Sequence, residues 1–129
     1  MRFGIVVLAI VAGCATLRGS APPRLGGTYA ARLAVTGKST YVGTLSTTWV
    51  GDSANGSIKI TSPLAVDMAI RGAQTGDTLR LRGSYSASNG CTGTIEVALG
   101  SATDVAARGP FTLNDRCAGA LPGVMELRR

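Results

Sequence analysis

From Thr28 to the C-terminus apolar and polar residues take turns along the chain, and one short motif recurs. Gly-x-apolar-x-apolar occurs as Gly56-Ser57-Ile58-Lys59-Ile60, Gly93-Thr94-Ile95-Glu96-Val97, Gly109-Pro110-Phe111-Thr112-Leu113 and Gly123-Val124-Met125-Glu126-Leu127. A weaker copy is Gly43-Thr44-Leu45-Ser46-Thr47. A period of two puts successive side chains on opposite faces of a strand, so each run predicts a strand with one buried face. Turn formers separate the runs: "TGKS" at 36–39, "GDSANG" at 51–56, "TSP" at 61–63, "GAQTGD" at 72–77, "SASNG" at 86–90, "GSATD" at 100–104 and "NDRCAGALPG" at 114–123. Turns at this spacing predict eight consecutive antiparallel strands, near 28–35, 40–50, 55–61, 64–71, 78–85, 91–99, 105–113 and 123–128.

The alternation also assigns faces. Tyr29, Ala31, Leu33 and Val35 begin the inward set; Leu64, Val66, Met68 and Ile70 continue it. Leu79, Leu81, Ile95, Val97, Leu99, Phe111, Leu113, Met125 and Leu127 complete it. Arg32, Lys59, Asp67, Arg71, Arg80, Arg82, Glu96, Glu126 and Arg128 fall on the outer face. An even number of strands lets the last pair with the first, so the expected fold is all-β, a small eight-stranded antiparallel up-and-down barrel, with a two-sheet sandwich as the alternative. Gly43, Gly56, Gly83, Gly93, Gly109 and Gly123 sit on the inward face, where glycine permits sharp bending around a narrow barrel or, less favoured, leaves space for a ligand. Pro110 has no N–H to give a ladder, which predicts a local gap or bulge in the seventh strand.

The chain before residue 27 has a different character. Met1-Arg2 is a minimal basic region, and the apolar stretch 3–11, "FGIVVLAIV", has the length of a signal-peptide core but is too short to span a bilayer. Val11-Ala12-Gly13-Cys14 resembles the lipobox of bacterial lipoproteins. That resemblance implies removal of a signal peptide at 1–13 and a diacylglyceryl group on the sulfur of Cys14. Two acyl chains at about 0.8 kcal/mol per buried CH₂ make a lasting membrane anchor. Residue 15 is alanine rather than the aspartate that signals inner-membrane retention in that family, which implies the periplasmic face of an outer membrane. Residues 14–26, with Pro22-Pro23 and no period, read as the lipidated cysteine and a flexible tether reaching up to roughly 35 Å. The barrel domain is then expected at 27–129.

Composition narrows the function. A chain of 129 residues supplies one domain. Its net charge of +6 comes from scattered arginines without aromatic interleaving, a poor fit to nucleic acid. Histidine is absent from the sequence, which removes the commonest general base and metal ligand. Asp52, Asp67, Asp77, Glu96, Asp104, Asp115 and Glu126 fall in turns or on outer faces and read as turn formers or solubility charges. No nucleophile elbow, Ser-x-x-Lys pattern or phosphate loop occurs, so neither an enzyme nor a cofactor or metal site is expected.

Cys91 and Cys117 flank the hairpin of strands six and seven, which places them side by side and predicts a disulfide in an exported protein. If the tether enters beneath strand one, the turns after strands one, three, five and seven gather at the far mouth. That mouth is the candidate binding surface, with Lys38, Tyr41, Tyr85, Asn89, Arg116 and the "NDRCAGALPG" segment, read as its longest connection. Trp49 falls at the opposite end and is expected to pack in the core. The favoured function is a lipid-anchored, non-enzymatic module that binds an envelope protein, as an accessory subunit or a hydrolase inhibitor. Lysozyme inhibitors include small lipobox barrels of this kind, although their Ser-Gly-x-x-Tyr motif is missing here. The alternative is a lipocalin-like carrier or sensor of a small apolar ligand, disfavoured because eight strands are just wide enough for side chains to fill.

Overall fold

The period-two alternation is realised as burial in the computed structural model, which describes residues 24–100 and 102–129. Its strands are β1 (Gly27–Val35), β2 (Thr40–Val50), β3 (Ser53–Ser62), β4 (Val66–Thr75), β5 (Thr78–Ala87), β6 (Thr92–Leu99), β7 (Ala106–Asp115) and β8 (Gly119–Arg128). Each pairs antiparallel with the next. A ladder from Ala30↔Arg128 to Val35↔Gly123 joins β8 to β1, so the sheet is a closed barrel rather than a sandwich. Closure leaves no unpaired edge along its length. The inward set is buried, apart from Leu64, which is half-buried and packs against the core from the β3–β4 connection. The outer-face charges are exposed except Glu126, which is half-buried and lies 3.6 Å from Arg108.

Two hairpins turn in two residues, at Gly51-Asp52 and Gly76-Asp77, with φ of 61° at both glycines. Positive φ at the first central position belongs to the primed turns, whose twist matches that of the flanking strands. The reading of "NDRCAGALPG" as the longest connection is corrected. β8 already begins at Gly119 and the turn occupies only 116–118, while the longest connection is 100–105, at the opposite end.

The gap expected at Pro110 is present. β6 and β7 are paired from Gly93↔Asp115 to Val97↔Phe111, and pairing resumes in the same register only at the bridge Gly100↔Arg108. On its other side Pro110 stands opposite Val124 in an unbroken β7–β8 ladder. The missing N–H interrupts the ladder without shifting it.

At the end where β1 begins, the chain closes the barrel. Leu25 is fully buried, and its carbonyl accepts bonds from Thr47 Oγ1 and Trp49 Nε1, both at 2.8 Å. Arg24 lies over the Trp49 ring, 4.8 Å from its centroid, and pairs with Asp52 at 3.0 Å. The Tyr29 hydroxyl donates to the Asp104 carbonyl at 2.8 Å and accepts from Arg129, which also reaches the Gly26 carbonyl. Residues 24–26 therefore pack against the end of the barrel, just before β1; Cys14 and the lipobox lie outside the described residues. Trp49 is at this end and packs against the core, as expected.

Candidate functional site

Strand direction carries the end of β1, the start of β2, the end of β3 and the start of β4 to the opposite, open end, and the same holds around the rest of the barrel. There a cavity of about 180 Å³ opens to solvent. Its apolar lining comes from Leu33, Val35, Ile60, Val66, Met68 and Leu113, all inward positions of the alternation that run out of partners where the barrel ends. Its polar lining comes from Lys38, Tyr41, Tyr85, Asn89 and Asp115. Four of the five residues expected at the mouth thus surround one cavity. Arg116 does not: it is exposed and outside the lining, because its turn is short and its backbone N–H is tied to the Thr92 carbonyl at 2.9 Å.

None of the inward glycines lines this cavity. A Cβ at Gly43, Gly56, Gly83 or Gly109 would run into the backbone of the neighbouring strand, so these positions are where strands approach too closely for a side chain. They serve close strand approach and do not provide space in this cavity. Gly93 does something more specific. It stands opposite Tyr85, and a Cβ there would lie 2.6 Å from Tyr85 Oη and 2.7 Å from Cζ, so the Tyr85 ring rests on glycine backbone.

Asp115 was legible only as a turn former. It is one: its Oδ1 accepts the N–H groups of Cys117 and Ala118 at 2.8 and 3.0 Å and shapes the β7–β8 turn. Its Oδ2 also accepts the Tyr85 hydroxyl at 2.5 Å. That bond, helped by the two N–H groups and the Lys38 charge against a smaller opposing effect of burial, holds the Asp115 carboxyl below the usual carboxylate range. Burial first, and the Asp115 carboxylate second, push the Tyr85 phenol well above its ordinary value. At neutral pH the pair is one phenol proton held against one carboxylate. It offers hydrogen-bond acceptors and no mobile proton.

The linkage to stability has two signs. A lowered folded pKa at Asp115 stabilises fully above the unfolded value of about 3.9, and this is lost as pH falls through the folded value. A raised folded pKa at Tyr85 stabilises fully below about 10, and this is lost as pH rises toward the folded value. Tyr85→Phe should therefore cost about 1 kcal/mol at pH 7, allowing for solvent at the rim, and less at pH 2 and pH 11. Melting curves of both proteins across that range check it; a gap that does not change with pH would contradict the coupling.

The Cys91–Cys117 disulfide is present, with Cα atoms 5.8 Å apart, and forms part of the cavity wall. Cys91, Asp115 and Cys117 bring their ligand atoms within 4.8 Å of one another, but the sulfurs are bonded to each other and have no thiolate to give a metal.

No family model matches the chain, and no curated protein matches it in sequence. Among solved structures it is similar to a redesigned β-barrel, mFAP1, bound to DFHBI, with a TM-score of 0.54 and 13% identity over 81% of this chain and 94% of that one. The likeness is one of fold: a small closed β-barrel.

Proposed function

We propose that the protein is a non-enzymatic binding module of the bacterial envelope, held to the membrane through Cys14, whose open mouth takes a small, ring-sized apolar ligand. The observation that carries this reading is the cavity itself. A volume near 180 Å³ is below that of sites for drug-sized ligands and close to the roughly 150 Å³ engineered cavity that binds benzene. Below the mouth the inward side chains are buried together, as eight strands allow, and this cavity lies at the open end. Tight packing disfavours a ligand only below this level. A barrel similar in fold, mFAP1, is bound to DFHBI, which supports small-molecule binding as a use of this architecture. Because the cavity is open, a single aromatic side chain of an envelope protein would fit the same space, which keeps a protein partner as the second reading.

Titration of the protein with p-cresol, followed by NMR, tests the ligand reading. Shifts should be confined to Leu33, Val66, Met68 and Leu113 with a Kd of about 0.1–1 mM, on the order of 0.5–0.7 kcal/mol per heavy atom. Ala87, the last residue of β5, also lines the cavity, and Ala87→Trp, which fills the mouth, should abolish them. Shifts spread over the outer wall, or none at 10-fold excess over that Kd, would refute it. The anchor is tested separately: mass spectrometry of protein from native membranes should find residues 1–13 absent and a diacylglyceryl mass on Cys14, and Cys14→Ser should move the protein to the soluble fraction.

A further inference from the structure

Resting on the ligand reading above, we infer that the mouth is selective for ring compounds that carry an O–H or N–H donor, phenols and aromatic amines, with Tyr85 and Asp115 as the paired acceptor. Three features fix the polarity of that wall. The Tyr85 hydrogen is already given to Asp115 Oδ2, so its oxygen faces a ligand with lone pairs alone. Asp115 has no hydrogen to give, and its Oδ1 is held by two backbone N–H groups that stop the carboxylate from swinging away. The Tyr85 ring lies across β6 on the backbone of Gly93, which lets its hydroxyl reach Asp115 and supports the ring from that side. A ligand donor would replace a water at rigid acceptors. A ligand acceptor would face lone pairs and a negative charge, and the bound form would leave its own oxygen or nitrogen unpaired.

The remaining polar groups do not reverse this. Asn89 spends its oxygen on the Cys91 N–H at 3.0 Å. Lys38 and Asn89 are exposed on the rim, where solvent screens a charge and competes for hydrogen bonds, whereas Tyr85 is buried on the wall. Tyr41, half-buried, carries a hydroxyl that serves either sign. The inner wall therefore selects and the rim does not.

The test compares phenol and aniline, which bring donors, with benzonitrile, an acceptor-only ring of comparable hydrophobicity, using the full chain freed of lipid by Cys14→Ser. Both donors should bind about tenfold more tightly than benzonitrile, and the ratio should approach one in Tyr85→Phe/Asp115→Asn. Equal or tighter binding of benzonitrile by the unaltered mouth overturns the donor rule while leaving the cavity reading intact. Binding of none of the three overturns both. Because the decisive comparison uses unaltered Tyr85 and Asp115, it stands even if the double variant does not fold.

Discussion

Gly83→Ala is expected to destabilise the barrel by about 3 kcal/mol, although it adds one methyl group to a position that is not fully buried. Gly83 stands opposite Ile70, and a Cβ at 83 would meet the Ala69 carbonyl and come within 3.0 Å of Ile70 Cα. Both are backbone atoms in a closed ladder. Neither can yield by rotating a side chain, so relief requires parting β4 from β5 or flattening the bend. Gly100→Ala is the matched control, because the nearest non-neighbouring atom to its Cβ, the Arg108 carbonyl oxygen, is 3.9 Å away and its φ is not positive. There the smaller entropy of the unfolded alanine chain should make the change neutral or stabilising by a few tenths of a kcal/mol. Thermal unfolding decides: a loss near 3 kcal/mol lowers the Tm of a domain of about 100 residues by roughly 12–24 °C. A Gly83→Ala protein melting with the control would mean that the close approach at β4–β5 relaxes freely and does not shape the barrel.

The contrast between these two glycines marks how far the sequence can be read. Both glycines follow alternating strand residues, and only the register shows that a Cβ at Gly83 would collide with a carbonyl while one at Gly100 would make an ordinary contact at 3.9 Å. The eight strands themselves were legible because Leu, Ile and Val return at every second position and Gly, Asn and Asp return between them. The even count allowed closure and left a sandwich as the alternative; the β8–β1 ladder decides for the barrel. Leu25 was not legible: a single apolar residue between Arg24 and Gly26 has no period, and its burial depends on the barrel end that it seals. The Tyr85–Asp115 bond was not legible for a related reason. The two residues are 30 apart, and they meet because β6 lies between their strands with Gly93 at the crossing, which leaves no side chain in the way. Tyr41, Lys38 and Asn89 were placed correctly from strand polarity alone. Arg116 is also at the open end, in the 116–118 turn, but it is exposed and outside the cavity lining. The cavity depends on how far opposite side chains reach across the barrel, a quantity that periodicity does not carry.

Loss of the disulfide should have an effect of similar size on stability and a larger one on the mouth. In the chain-entropy model, the cross-link between Cys91 and Cys117, 26 positions apart, contributes about 3.5 kcal/mol by restricting the unfolded chain. Cys91 is half-buried and Cys117 exposed, so Cys91→Ala/Cys117→Ala should add little cavity cost to that figure. The bridge sits just beyond Gly93↔Asp115, the pair that ends the β6–β7 ladder, and this is the seam that Pro110 interrupts further down. A covalent tie therefore reinforces a short ladder at its open end. It also joins the β5–β6 turn, which supplies Asn89 to the cavity, to the β7–β8 turn that follows Asp115. Without it both turns gain freedom, Asp115 can leave Tyr85, and a ligand must pay to order them again, so p-cresol affinity should fall by about tenfold even where the protein remains folded. Urea unfolding and ligand titration of the double variant, each run beside the unaltered protein treated with a reductant, separate the two effects. A variant that unfolds within 1 kcal/mol of the original and binds p-cresol equally well would show that the β6–β7 ladder and the Asp115 turn hold the mouth without the bridge.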